Sequence, residues 1–183
     1  MRDIYEELLF TNADIVKRSK ELGELISKDY EGKKPILVGL LKGSIPFMAE
    51  LIKHITCDME IDFMQASSYE GTESTLNVKI KKDLDRDIKG CHILIVEDII
   101  DSGRTLSYLM EVLGKRQPKD RGAASVEVVS LLNKQENRVV DITAKYVGYE
   151  IPNKFVVGFG LDYNELYRNT DDIGVLKKEI YMK

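Results

Sequence analysis

The sequence is poor in the residues that staple or metallate a small fold. It has two cysteines, Cys57 and Cys91, and two histidines, His54 and His92, in 183 residues. The cysteines stand far apart with no metal-ligand spacing, so both are read as reduced thiols near buried strands. Neither histidine lies beside a candidate nucleophile, which leaves them structural or surface roles. No apolar run approaches the ~20 residues that span a bilayer. The opening Met1-Arg2-Asp3-Ile4-Tyr5-Glu6-Glu7 is acidic where a secretory signal is basic and then apolar, so a cytoplasmic protein is expected. A net charge of −4 gives no global attraction to nucleic acid. Lys79, Lys81 and Lys82 form a local basic cluster, best explained as the solvated face of a strand. Repeats, low-complexity runs and long linkers are lacking too, so one domain over residues 1–183 is expected. The length suits a sizeable core, and 43% hydrophobic with 32% charged residues is ordinary globular composition.

What is present reads as alternating strands and helices. Thr11-Asn12-Ala13-Asp14 is a helix start, with Thr11 as cap and Asp14 three residues on. Ile15, Leu22, Leu25 and Ile26 then recur at helical spacing. The continuous apolar run Ile36–Leu41 predicts a strand buried on both faces. A turn at Lys42-Gly43-Ser44 leads into a helix from Ile45 to Ile55. Met59, Ile61 and Phe63 alternate with acids, as in a strand with one wet face. Ser67 to Thr75 reads as a polar loop, followed by a return strand at Val78 and Ile80. Ile93–Val96 is the next buried strand, a helix carries Leu106, Leu109, Met110 and Leu113, and Val126–Leu132 is another strand. Short strands near Lys145–Val147 and Phe155–Val157 precede a less regular tail. This order implies an α/β fold, a central mostly parallel sheet flanked by helices. In such sheets ligands bind beyond the carboxyl ends of the strands, which directs attention to the residues after Leu41, Val96, Leu132 and Val157.

Glu97 and Asp98 come directly after an apolar run. Two adjacent carboxylates there are costly unless paired, hydrated or bound. Their side chains alternate in direction, so they are not expected to share one proton. Sugar hydroxyls or a hydrated Mg²⁺ would suit such hard oxygens; so would acids that merely end a strand or cap a turn, and the acids alone leave that choice open. The following Asp101-Ser102-Gly103-Arg104-Thr105 runs into a helix start. Gly103 permits a tight turn, Ser102 and Thr105 bring hydroxyls, and the helix brings unpaired N–H groups and a positive dipole end. Together these form a phosphate cradle. It is neither a P-loop nor a dinucleotide turn: no G-x-x-x-x-G-K-[ST] occurs, and Gly158-Phe159-Gly160 is followed by Tyr163 rather than Gly.

Val96 to Thr105 resembles the phosphoribosyl-pyrophosphate motif of the type I phosphoribosyltransferases. The resemblance implies that fold, a central mostly parallel sheet flanked by helices with a small hood region. It also implies that Glu97 and Asp98 hold the ribose hydroxyls and Mg²⁺, that Ser102, Gly103, Arg104 and Thr105 bind the 5-phosphate, and that Asp101 is the general base. The rest of the chain is similar to the bacterial hypoxanthine-guanine phosphoribosyltransferases. Lys42 and Gly43 match their pyrophosphate loop, in which the Leu41–Lys42 bond here is often cis. Ser68 and Tyr69 match a mobile loop that closes over the pyrophosphate, although Glu70 stands where many bacterial members have Gly. Lys134 matches a contact to the purine 6-oxygen, Phe155 a ring stacked on the base, and Val156 a backbone reader of its edge. Asp162 would lie near a second Mg²⁺, and Arg168 fits a pyrophosphate contact. Arg104 stands where Lys is also common.

Read without the resemblance, Lys134 is a lysine snorkelling to water, Phe155 a core aromatic and Arg168 half of a surface ion pair. Within it, the expected substrates are phosphoribosyl pyrophosphate and a 6-oxopurine, in a homodimer or homotetramer. A rival is a nucleic-acid-binding regulator on the same fold; the negative charge and the set Lys134, Phe155 and Asp162 argue against it. A second rival acts on xanthine, adenine or a pyrimidine; Lys134 favours a 6-oxo over a 6-amino group, because an ammonium donates and cannot accept.

Overall fold

A computed structural model describes residues 3–69, 77–115 and 122–182, with the side chains of residues 68, 69 and 77 outside that description. In chain order the elements are β1 (Tyr5–Phe10), α1 (Asn12–Asp29), β2 (Ile36–Leu40), α2 (Ile45–Leu51), β3 (Glu60–Tyr69), β4 (Asn77–Lys82), β5 (His92–Ile100), α3 (Arg104–Gly114), β6 (Ser125–Asn133), β7 (Tyr146–Glu150), β8 (Val156–Val157), β9 (Ile173–Leu176) and α4 (Lys178–Tyr181).

A six-stranded sheet runs in the order β4-β3-β2-β5-β6-β7. Only the β3–β4 pair within it is antiparallel. The pleat sorts the apolar runs onto two faces. Leu37, Leu94, Val96 and Val129 pack with Ile15 and Leu22 of α1 and Phe47 and Leu51 of α2. Ile36, Val38, Ile93, Ile95 and Val128 pack on the other side with Leu106, Leu109 and Leu113 of α3. Both faces are covered, which is why these strands read as unbroken apolar runs. Deleting one such side chain, as in Leu109→Ala, is expected to cost roughly 2–5 kcal/mol. The second sheet, β1-β9-β8, is antiparallel and forms the hood. Its buried Val156, Ile173 and Val175, with Phe159 from the turn after β8, join the core on the α1 and α2 side.

The start of α1 is as expected. The Thr11 hydroxyl accepts from the Asp14 N–H (3.3 Å) and the Asp14 carboxylate accepts from the Thr11 N–H (3.0 Å). The α2 helix ends earlier than expected, at Leu51, because its last turn tightens into a 3-10 turn at Ile52–His54. Two strands run longer. Ser67, Ser68 and Tyr69 belong to β3 rather than to a loop, because β4 supplies them with a hydrogen-bond ladder that asks nothing of side-chain polarity; the remainder of the expected 67–75 loop lies outside the described residues. The acids Glu97 and Asp98 do not follow β5 but sit within it: pairing with β6 continues through Glu97↔Ser130 to Ile100↔Asn133. The tail, read as irregular, contains β9, which pairs with the unexpected β1 (Leu8↔Gly174).

Of the three basic residues on β4, Lys79 and Lys81 do not share the surroundings of Lys82. Lys79 and Lys81 are exposed, whereas the Lys82 ammonium donates to the Phe63 carbonyl (2.9 Å) and the Asp85 carboxylate (3.1 Å). Both cysteines are free thiols. His54 pairs with Glu50 (2.9 Å) and His92 with Ser125 (2.8 Å). No helix among the described residues is long and apolar enough to cross a membrane.

Candidate active site

The carboxyl ends of β2, β5 and β6 converge with the hood on one trough. Three adjoining hollows compose it. The first is lined by Glu97, Asp101, Ser102, Gly103 and Thr105. The second shares Glu97 and Thr105 with it and adds Leu41, Gly43 and Asp98. The third shares Asp98 with the second and Asp101 with the first, and is walled by Lys134, Phe155, Val156, Leu161 and Asp162. Neighbouring hollows thus share lining residues.

The first hollow is the turn between β5 and α3. Gly103 is the N-cap residue of α3 at φ +79, a conformation open to glycine and strained for other residues. A Cβ there would also lie 2.7 Å from Ile142. Residues 138–142 back the turn: Val139 N–H donates to the Ser102 carbonyl (3.2 Å) and Arg138 Nε to the Asp101 carbonyl (3.2 Å). The first-turn N–H groups of α3 are therefore presented at a fixed place, as an anion requires. Arg104 is exposed on that turn and does not line the hollow.

At the centre, Asp98 Oδ1 accepts the N–H of Ile99 (2.8 Å), and the Lys42–Gly43 backbone lies against the other carboxylate oxygen. The fit is so close that a Cβ on Gly43 would fall 1.7 Å from Asp98 Oδ2. The Leu41–Lys42 peptide bond is cis. Burial and the adjacent Asp98 carboxylate push Glu97 well above the usual carboxylate range, and burial pushes Asp98 up to about 6. A cation beside them would offset that cost. Asp98 and Asp162 line one hollow, and no group of three or more His, Cys, Asp or Glu able to hold a metal occurs among the described residues. One or two carboxylates with substrate oxygens are what a hydrated Mg²⁺ takes, so the donor set fits that ion.

The third hollow overturns the snorkelling reading of Lys134. Its side chain is only 8% exposed, and its ammonium stands 3.7 Å from Asp101 Oδ2. A buried ammonium is tolerated only with such a partner. Phe155 is 40% exposed and thus not a core aromatic; Tyr181 stacks on it (centroids 5.1 Å) and Tyr163 meets it edge-on (5.9 Å). Val156 is buried in the hood, paired with Val175.

Asp162 and Arg168 bracket a loop latched onto the Lys42–Gly43 turn. Gly160, at φ +99, packs so tightly that a Cβ would lie 1.9 Å from the Gly43 carbonyl. Arg168 donates to the Gly160 carbonyl (2.8 Å) and pairs with Asp162 (2.8 Å). Lys42 pairs with Glu165 (2.9 Å). The side chains of Ser68 and Tyr69, singled out as loop residues, lie outside the described residues. Three residues that the spacing did not reveal complete the site: Arg138, Glu165 and Tyr181. Each acts through a contact distant in sequence or inside an irregular loop, where no periodicity exists to find it.

Known proteins share this sequence and this fold. The family model described as "Phosphoribosyl transferase domain" matches residues 7–164, and the chain belongs to that family. Among its relatives is the hypoxanthine-guanine phosphoribosyltransferase of Lactococcus lactis, 55% identical over 179 residues, covering 97% of this chain and 94% of that protein. The structure superimposes on a hypoxanthine phosphoribosyltransferase from Staphylococcus aureus with a TM-score of 0.92 at 50% identity, covering 99% and 96% of the two chains. The hypoxanthine phosphoribosyl transferase of Trypanosoma cruzi gives a TM-score of 0.92 at 38% identity, covering 100% and 96%. The architecture is the type I phosphoribosyltransferase fold.

Proposed function

We propose that this chain, acting as one domain, transfers the 5-phosphoribosyl group of phosphoribosyl pyrophosphate to hypoxanthine or guanine, giving IMP or GMP and pyrophosphate. The observation that carries the reading is the buried Lys134 ammonium beside Asp101, in a hollow with Phe155 that opens onto the phosphate turn. In this reading Ser102, Gly103 and Thr105, with the backbone N–H of Arg104 at the start of α3, bind the 5-phosphate. Glu97 and Asp98 accept from the ribose hydroxyls. Phe155 stacks on the purine and the Val156 backbone reads its edge. Lys134 donates to the 6-oxygen, which selects a 6-oxo over a 6-amino ring because an ammonium has no lone pair to offer.

The C1–O bond breaks early and positive charge develops on the ribose. Lys42, Arg168 and the Gly43 N–H take the negative charge gathering on the departing pyrophosphate. Asp98 and Asp162, with Glu97 beside them, would hold Mg²⁺, which supplies charge neutralisation on the phosphates and hydroxyls. As N9 attacks C1, Asp101 takes the proton from N7. Its side chain is half-exposed in the same hollow as Phe155, with the Lys134 ammonium 3.7 Å from Oδ2. The family resemblance supports a homodimer or homotetramer.

The test is a spectrophotometric assay with Mg²⁺, phosphoribosyl pyrophosphate and each purine in turn, run beside filter binding with RNA. Turnover with hypoxanthine or guanine is expected. No turnover together with saturable RNA binding would replace the enzyme by a regulator.

A further inference from the structure

Lys42 and Arg168, the two cations read above as pyrophosphate contacts, already share an anion. One carboxylate oxygen of Glu165, Oε2, lies 2.9 Å from Lys42 Nζ and 3.3 Å from Arg168 NH2. The pairing joins two segments distant in sequence, since Lys42 follows β2 and the other two sit on the loop after β8. It is also set up by backbone. The Glu165 N–H donates to Asp162 Oδ2 (2.9 Å), and Asn164, Glu165 and Tyr167 adopt φ of 50, 65 and 75. Non-glycine residues keep that left-handed conformation only where their surroundings hold it. Hydrogen bonds from Lys42 and Arg168 hold the Glu165 carboxyl below its usual range.

The pairing is nonetheless open to displacement. The Lys42 and Glu165 side chains are 54% and 63% exposed, and an exposed ion pair is weak. A pyrophosphate brings several charges to the same cations where Glu165 brings one. Arg168 keeps its place without Glu165, through Gly160 and Asp162.

We propose that Glu165 is an internal competitor of pyrophosphate: its carboxylate holds Lys42 and Arg168, yields them to the incoming phosphates, and takes them back as pyrophosphate departs. Glu165 is thus a positioning residue that weakens product binding and hastens product release. The inference rests on the reading of this site as a phosphoribosyltransferase site.

Calorimetric titration of inorganic pyrophosphate, in MgCl₂, into the wild type, Glu165→Gln, Lys42→Gln and the double variant tests it. Glu165→Gln keeps the backbone N–H to Asp162 and removes only the charge. It should bind pyrophosphate roughly two- to fivefold tighter, the scale of an exposed ion pair, and lower the KM for phosphoribosyl pyrophosphate without raising kcat. The gain should shrink in the Lys42→Gln background. Unchanged or weaker binding by Glu165→Gln overturns the proposal in favour of a purely structural loop. A gain just as large without Lys42 overturns it in favour of bulk charge. A wild type that turns over normally separates either outcome from failure of the enzyme reading, which would show as no turnover at all.

Discussion

One wall of the trough is written in a single stretch. Residues 97–105 descend β5, turn at Gly103 and enter α3, so the spacing of Glu97, Asp98, Asp101 and Thr105 is set by strand pleat and helix start. The facing wall is collected from Lys134 at the end of β6, Phe155 and Val156 at β8, and Asp162 on the loop beyond. The first wall needs only its own backbone and the support of residues 138–142. The second depends on the hood, whose β1 and β9 come from opposite ends of the chain. The contrast teaches that the phosphate end is a local device and the base end a tertiary one, and that they meet at one pair, Asp101 and Lys134.

Asp101 tests that junction most severely. It belongs by sequence to the phosphate wall and by contact to the base wall. Asp101→Asn keeps the shape but removes the proton acceptor. Turnover should fall by on the order of 10²-fold, the usual worth of a positioned base, while calorimetric binding of phosphoribosyl pyrophosphate stays near wild type. Unchanged single-turnover rates would remove Asp101 from the chemistry and dissolve the junction.

Gly43→Ala probes the local wall from outside it. The added Cβ would fall 1.7 Å from Asp98 Oδ2, so either the carboxylate or the turn must shift by more than an ångström. Misplacement on that scale costs tens of fold in kcat/KM, and the KM for phosphoribosyl pyrophosphate should carry most of it. A near-normal KM would mean that Asp98 is not held where the sugar needs it. Lys134→Ala probes the opposite wall. The KM for hypoxanthine should rise about tenfold, as loss of a charge-assisted hydrogen bond implies, with that for the sugar phosphate nearly unchanged. Equal rises would mean that Lys134 serves the shared pair rather than the base.

The same contrast governs what could be read from sequence. The alternation of elements, both buried faces of the sheet and the phosphate turn follow from period, cap and glycine, which are local signals. The true length of β5 does not, because Glu97 and Asp98 interrupt its apolar run while backbone hydrogen bonds to β6 carry the pairing on through Ile100. Lys134 and Phe155 could be named only through family resemblance; their own neighbourhoods suited a surface lysine and a core ring. Glu165 and Tyr181 escaped altogether. One sits in a loop of left-handed residues, and the other stacks on a residue from a remote part of the chain.

Tyr181 carries the smallest expected effect and the cleanest sign. A ring has two faces, and Tyr181 lies against one face of Phe155, at 28° between planes, while Tyr163 stands at 87° to it. If the purine takes the other face, Tyr181 fixes the plane on which the base stacks without touching it. Tyr181→Ala should then raise the KM for hypoxanthine roughly two- to fivefold, in line with the worth of one aromatic pair, and leave kcat and the KM for phosphoribosyl pyrophosphate alone. Tyr181→Phe keeps the ring and should restore the wild-type value. If instead Tyr181 covers the face the purine needs, Tyr181→Ala would lower the KM. The direction of change therefore decides whether the base wall is backed by the hood or masked by it.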